Sequence, residues 1–191
     1  MIFLMMEENH IRAQSTVADE DIRKIAAGEA GALRSLYERI HPAVYGYALS
    51  LIKNTHDAED ILQETFLSIH RAAGDYQPSG KPMAWIFTIA KNHALMKLRS
   101  RAKEEPLPET PIEDTAAFAQ IKSIEARAVL LAALKTLSDE ERQIVSLYCV
   151  AGLKNREIAA LMDLPLGTVL SKYSRALKKL RAILKEEDFY E

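Results

Sequence analysis

Residues 137–185 read LSDEERQIVSLYCVAGLKNREIAALMDLPLGTVLSKYSRALKKLRAILK, and three helices separate in that string on local signals. Ser138-Asp139-Glu140-Glu141 has the form of a capping box: the serine oxygen can accept from the backbone of Glu141 while the Glu141 carboxylate reaches back. The helix it opens carries Ile144, Val145, Leu147 and Tyr148 on one side. Gly152, which tolerates positive φ, is placed to end it. A second, short helix has Ile158, Ala159, Leu161 and Met162 inward. Asp163-Leu164-Pro165 breaks it, because a residue before proline is pushed out of the α region. A third helix is expected over residues 166–185, with Val169, Tyr173, Ala176, Leu177 and Leu180 as its apolar stripe. The opposite face holds Ser171, Lys172, Arg175, Lys178, Lys179, Arg181 and Lys185, and no carboxylate occurs from Gly167 to Lys185. A short helix, a tight turn and a longer basic helix form a helix-turn-helix, which lays its second helix in the DNA major groove. The bland alternative is a three-helix bundle whose last helix has a solvated basic face.

The chain of 191 residues suits one domain or two small ones, and its 48% hydrophobic content is enough for real cores. Several segments carry the 3.6-residue period and almost none alternates with period two, so the expected class is all-α. A net charge of −2 argues against a protein that coats nucleic acid generally. Any DNA surface has to come from local segregation of charge. Cys149 is the only cysteine, which excludes an internal disulfide or a multi-cysteine metal site, and it reads as a buried thiol. His10, His41, His56, His70 and His93 show no ligand spacing, and no phosphate loop or nucleophile elbow occurs. No metal, cofactor or enzymatic activity is therefore expected. The opening Met1-Ile2-Phe3-Leu4-Met5-Met6 is too short for a signal peptide. No stretch approaches the roughly 20 apolar residues of a transmembrane helix. The expectation is a soluble, cytoplasmic protein of a reducing compartment.

Upstream, residues 1–17 read as a loose leader, and helical pattern begins at Ala18 with Ile22, Ile25 and Ala26. Ala32, Leu33, Leu36, Tyr37 and Ile40 continue it; Pro42 is expected to reset the helix, which Val44, Tyr45, Tyr47, Ala48, Leu51 and Ile52 carry to Lys53. In Asn54-Thr55-His56-Asp57 either Thr55 or Asp57 can serve as the next cap. The helix that follows, over residues 57–71, has Ala58, Ile61, Leu62, Thr65, Phe66 and Ile69 inward. Glu59, Asp60, Gln63, Glu64 and Leu67 point outward. The helix dipole accounts for Glu59 and Asp60, whereas Glu64 and an exposed Leu67 suit a docking face for a basic partner helix. From the residues alone both readings stand.

Gly74-Asp75-Tyr76-Gln77-Pro78-Ser79-Gly80 is a loop by composition, with Tyr76 expected at its exposed tip, and Pro82 suits a helix start. The next helix is apolar at first, with Trp85 assigned to the core, and basic later, at Lys91, Lys97, Arg99 and Arg101. Thr88, Asn92 and Arg99 share one face of it. A basic helix after an aromatic-bearing loop has the ingredients for single-stranded DNA, phosphate neutralisation plus a stacking platform. From Glu104 to Asp114 the chain is acidic and Pro-rich, which reads as an extended linker; helical pattern resumes near Ala116 and runs through Ile121, Ile124, Ala128, Leu131 and Leu134 into Leu137. The expected organisation is a leader (1–17), a first helical domain (18–102), an acidic linker (103–118) and a second helical domain (119–187).

These pieces in this order resemble the extracytoplasmic-function sigma factors of bacterial RNA polymerase. In the first domain the resemblance rests on Asp57-Ala58-Glu59-Asp60-Ile61-Leu62-Gln63-Glu64-Thr65-Phe66 and on Trp85-Ile86-Phe87-Thr88-Ile89-Ala90-Lys91-Asn92. In the second it rests on Glu157-Ile158-Ala159 and on Gly167-Thr168-Val169-Leu170-Ser171 with Arg175-Ala176. The resemblance implies sigma regions 2 and 4. It implies docking of Asp60, Gln63, Glu64 and Leu67 on a coiled coil of the β′ subunit of core polymerase. It implies capture and opening of the promoter −10 element by the loop of residues 74–81 and the helix after it; within them Tyr76 and Asn92 suit an extruded base and Lys91 and Arg99 the strand, the alternative being that Tyr76 folds back onto the helix bundle and Asn92 merely caps or is solvated. The helix-turn-helix would read the −35 element through Thr168, Ser171, Lys172, Ser174, Arg175 and Lys179 while resting on the β flap. The linker would thread towards the RNA exit path, and an anti-sigma factor would hold the protein silent.

Three positions depart from the family pattern: Leu170 where a basic residue is common, Met96 where an Asp is common, and Lys154 where a capping Ser is usual, with Asn155 as the replacement cap. At Leu170 one groove contact is either absent or an apolar touch on a thymine methyl. Two other classes fit parts of the sequence: a stand-alone helix-turn-helix regulator, which has no need of the acidic helix or the linker, and a sigma mimic that sequesters an anti-sigma partner, which has no need of two basic helices.

Overall fold

A computed structural model describes residues 17–101 and 135–187. Regular structure among them is helical throughout. α1 (Asp19–Ala26) is short; its first turn is held by Asp21, which accepts from the backbone of Ala18. Ile22 and Ile25 are its buried face. α2 (Ala32–Ile52) follows Gly31, which sits at φ 82 where other residues would be strained. Arg39 of α2 reaches back to Asp21 at 2.5 Å and ties the two helices.

Pro42 does not reset α2, contrary to the sequence expectation: the helix is continuous through it. One missing backbone donor costs less here than breaking a helix that buries Val44, Tyr47, Ala48, Leu49 and Ile52 downstream of it. Tyr37, expected in the core stripe, is instead 40% exposed; its ring stacks on His41 and meets the edge of Phe66.

α3 (Thr55–Ala72) starts two residues earlier than expected, because Asn54 is its cap and accepts from the backbone of Asp57 at 3.0 Å. Asp57 is not needed as a cap, and its buried carboxylate pairs with Lys97 and Arg101 of α4 (Pro82–Arg101). A single 3-10 turn, Ala73–Asp75, leads into the loop before α4. α2, α3 and α4 pack together, with Tyr47 and Phe87 edge to face at the centre.

The second half is built as expected from α5 (Asp139–Cys149), α6 (Asn155–Met162) and α7 (Leu166–Glu187). The capping box is present in both directions, Ser138 N–H to Glu141 at 3.0 Å and Glu141 N–H to the Ser138 hydroxyl at 3.3 Å. Gly152, at φ 69, lets the Leu153 N–H turn back to the Leu147 carbonyl. α6 lacks a side-chain cap: Glu157 accepts from the Lys154 backbone, and Asn155, which the sequence offers as the cap, is already inside the helix with its side-chain oxygen buried and unpartnered among the described residues. Asp163 ends α6 in the left-handed conformation, φ 56, and Pro165 offers its carbonyl to the first turn of α7. Cys149 is buried beside Leu137, Val145, Ala176 and Leu180.

The two halves are not separate beads among the described residues. One apolar cluster runs from Ile22, Leu36 and Tyr47 through Ile86 and Phe87 to Leu147, Leu153 and Ile158. Lys53 at the end of α2 pairs with Asp139 at the start of α5 at 3.0 Å. The leader up to residue 16, the acidic linker and the helical resumption up to residue 134 lie outside the described residues.

Candidate functional site

The outward strip of α3 is heterogeneous. Gln63, Glu64 and Leu67 are exposed, and Leu67 keeps 45% of its surface in solvent although it sits one residue from the buried Phe66. Asp60 is half-exposed and accepts from Lys97 at 2.9 Å. That hydrogen bond holds its carboxyl below the ordinary range, and the same pairing together with Asp57 pushes Lys97 up. Asp60 therefore belongs partly to the α3–α4 contact, while Glu64 makes no ion pair among the described residues. Tyr37 on α2 extends the half-apolar surface from the other side of Phe66, a placement that no local sequence signal announces.

Around α4 the predicted residues do not share one environment. Asn92 and Arg99 are exposed along the helix, with Thr88 a turn earlier bonding its own chain at Ala84. Lys91 instead crosses to the second half: its ammonium donates to the Leu161 carbonyl at 2.6 Å and to Asp163 at 2.5 Å, inside the turn of the helix-turn-helix. Tyr76 requires a correction. It is not at an exposed tip: its residue is 9% exposed, its ring lies 4.8 Å from that of Trp85, and its hydroxyl donates to Asp19. An aromatic ring beside an apolar helix start gains more from packing on Trp85 than from solvent. The exposed part of the loop is residues 77–81.

Of the predicted residues on α7, Ser171, Ser174, Arg175 and Lys179 are exposed, Lys172 is half-buried, and Thr168 is half-buried at the start of the helix. Ser171 donates to the Thr168 carbonyl and the Arg175 guanidinium lies over the Ser171 carbonyl, which settles these side chains along the helix. Lys172 and Lys179 lean away towards α5: Lys172 pairs with Glu140 at 2.6 Å and Lys179 with Glu141 at 2.7 Å. Burial alone would raise the Glu141 carboxyl, but Lys179 and the Ser138 donors outweigh it and hold it below the ordinary range. Leu170 is exposed on this helix, with 46% of its surface open. Asp19, which nothing in the local sequence singles out, emerges as a contact of the loop before α4 through Tyr76 and the Gly80 backbone.

The described residues hold no cluster of metal-ligating side chains and no helix long and apolar enough to cross a membrane. The chain matches the family described as Sigma-70 region 2 over residues 36–104 and Sigma-70, region 4 over residues 127–180. It is 34% identical over 163 residues to RNA polymerase sigma factor CarQ of Myxococcus xanthus, covering 83% of this chain and 92% of that one. It is 31% identical over 159 residues to ECF RNA polymerase sigma factor SigM of Mycobacterium tuberculosis, covering 83% and 80%. Among solved structures it resembles the sigma factor RpoE of Bartonella quintana, crystallised with the anti-sigma factor NepR, at a TM-score of 0.63 and 25% identity over 82% of this chain and 98% of that one. With two sigma regions in family order, a helix-turn-helix at its C-terminal end and these relatives, the chain belongs to the extracytoplasmic-function family of RNA polymerase sigma factors.

Proposed function

We propose that this sigma factor docks on the β′ coiled coil of core polymerase through Gln63, Glu64 and Leu67, with Asp60 contributing from its pair with Lys97. Acidic side chains around an exposed leucine complement a basic helix that also offers an apolar contact. Asn92 and Arg99 of α4, with the exposed loop 77–81, face the −10 element, and Lys91 joins them when it leaves Asp163. Tyr76 supports that loop from beneath rather than stacking on a base. On α7, Ser171, Ser174 and Arg175 read base edges of the −35 element, Thr168 approaches a phosphate, and Lys172 and Lys179 do so on exchanging Glu140 and Glu141 for phosphates, while the domain rests on the β flap.

The observation that carries this reading is the pairing, on one chain, of an exposed acidic-apolar strip on α3 with an exposed, carboxylate-free recognition face on α7. A stand-alone regulator needs the second but has no use for the first. The protein acts in the cytoplasm, where polymerase and promoters are, and a regulatory anti-sigma polypeptide is its natural antagonist. Reconstitution tests it: the full chain, core polymerase and a fragmented bacterial genome are incubated with nucleotides, and transcript 5′ ends are mapped. Recurrent start sites sharing two upstream elements are expected. Start sites no different from those of core alone would overturn the reading.

A further inference from the structure

Asp19 lies 57 residues before Tyr76 and 61 before Gly80, yet its carboxylate touches both. One oxygen accepts from the Tyr76 hydroxyl at 2.5 Å and the other from the Gly80 backbone N–H at 2.8 Å. Between those two anchors the loop exposes Gln77, Pro78 and Ser79, and Lys81 follows directly. The anchoring is reinforced on each side. Tyr76 is fixed by its ring on Trp85, and Gly80 sits at φ 68, a conformation available to glycine that aims its N–H at the carboxylate. The residue doing the fastening stands in the first turn of α1, and α1 is itself locked to α2 by the Asp21–Arg39 pair.

We infer that Asp19 is a positioning residue for promoter opening: it staples the two ends of the loop so that residues 77–81 meet the unpaired −10 strand in one preformed shape. This rests on the reading that the loop engages that strand. A flexible five-residue loop would have to order on binding DNA, and the two hydrogen bonds remove that cost in advance. The Tyr76 hydroxyl, followed by the Gly80 N–H, keeps the Asp19 carboxyl below its ordinary range, so the acceptor is ionised at neutral pH and both bonds are charge-assisted.

The experiment uses full-length holoenzyme on a promoter recovered by the transcript mapping above. Unpaired −10 thymines are read by permanganate, alongside core affinity and thermal melting. Asp19→Asn and Tyr76→Phe should each lower opening about tenfold, the worth of one hydrogen bond to a charged group, with core affinity unchanged. Combining either with Gln77→Ala should give less than the product of the separate losses, since a loop already misplaced gains little from its tip residue. Trp85 is the only tryptophan, so its emission in the free chain should shift in Asp19→Asn and report the loosened ring. Full opening by Asp19→Asn, beside a defective Gln77→Ala/Lys81→Ala variant, would overturn the role of Asp19 alone. Full opening by that loop variant would overturn the assignment of the loop and the inference with it. Multiplicative losses, or a fall in core affinity matching the fall in opening, would make Asp19 an ordinary structural residue.

Discussion

Asp60 and Glu64 stand one helical turn apart on α3, and charge reversal should separate their roles. Glu64→Lys removes no ion pair among the described residues, so melting temperature should hold while core affinity falls at least tenfold, about 1.4 kcal/mol. Asp60→Lys takes the acceptor from Lys97 and adds a cation beside the Asp57–Lys97–Arg101 group, so it should lower both affinity and melting temperature. Thermal melting and core-binding titration of the two variants read this directly; undiminished affinity in Glu64→Lys would remove it from the interface. Glu141 offers a pH test. Its folded pKa is depressed, so the stability it contributes is complete above its unfolded value near 4.5 and is lost as pH falls through the folded value. Wild type should therefore lose stability more steeply than Glu141→Gln as pH falls below the unfolded value of 4.5, measured by denaturant titration at successive acid pH values. Parallel curves would mean the Lys179 contact contributes nothing.

At the scale of elements, the proposed reading has α7 divide its basic residues between DNA and the pairs Lys172–Glu140 and Lys179–Glu141 within its own domain. Arg175→Ala should cost about 1–3 kcal/mol and relax preference at one −35 position if the guanidinium grips a guanine edge. Lys179→Ala should weaken all sequences alike and reduce the salt dependence of binding. It should also lower the melting temperature, because Glu141 is left nearly buried without its cation. A binding titration over scrambled −35 sites checks both; a uniform loss from Arg175→Ala would move it to the phosphate class. Local signals place the elements well where the deciding contact is local: the Ser138–Glu141 box, Gly152, Pro82 and the turn at Asp163–Pro165 all take the expected form. They fail where a distant partner decides. Thr55 and Asp57 are equally good caps by sequence, but burial with Lys97 and Arg101 claims Asp57 and leaves Asn54 to cap α3. Tyr76 reads as a loop tip because neither Trp85 nor Asp19 adjoins it in sequence.

For the whole molecule, the helical class is legible from periodicity and the two sigma regions from the motifs that carry the family resemblance, but the packing of one region on the other is not. The apolar faces of α2, α4, α5 and α6 each look complete as the core of a small domain, and only the structure shows that they share one cluster. The bridges Lys53–Asp139 and Lys91–Asp163 span that junction, and the second occupies a lysine expected at the −10 strand. A chain built this way should recognise promoters only as part of polymerase. DNase footprinting of a recovered promoter with the chain alone, with core alone and with both measures this directly. Protection across both the −35 and −10 elements is expected when chain and core are combined, and none from either separately at the same concentrations. Equal protection of the −35 half by the chain alone, unchanged by core, would contradict it and identify a stand-alone helix-turn-helix regulator.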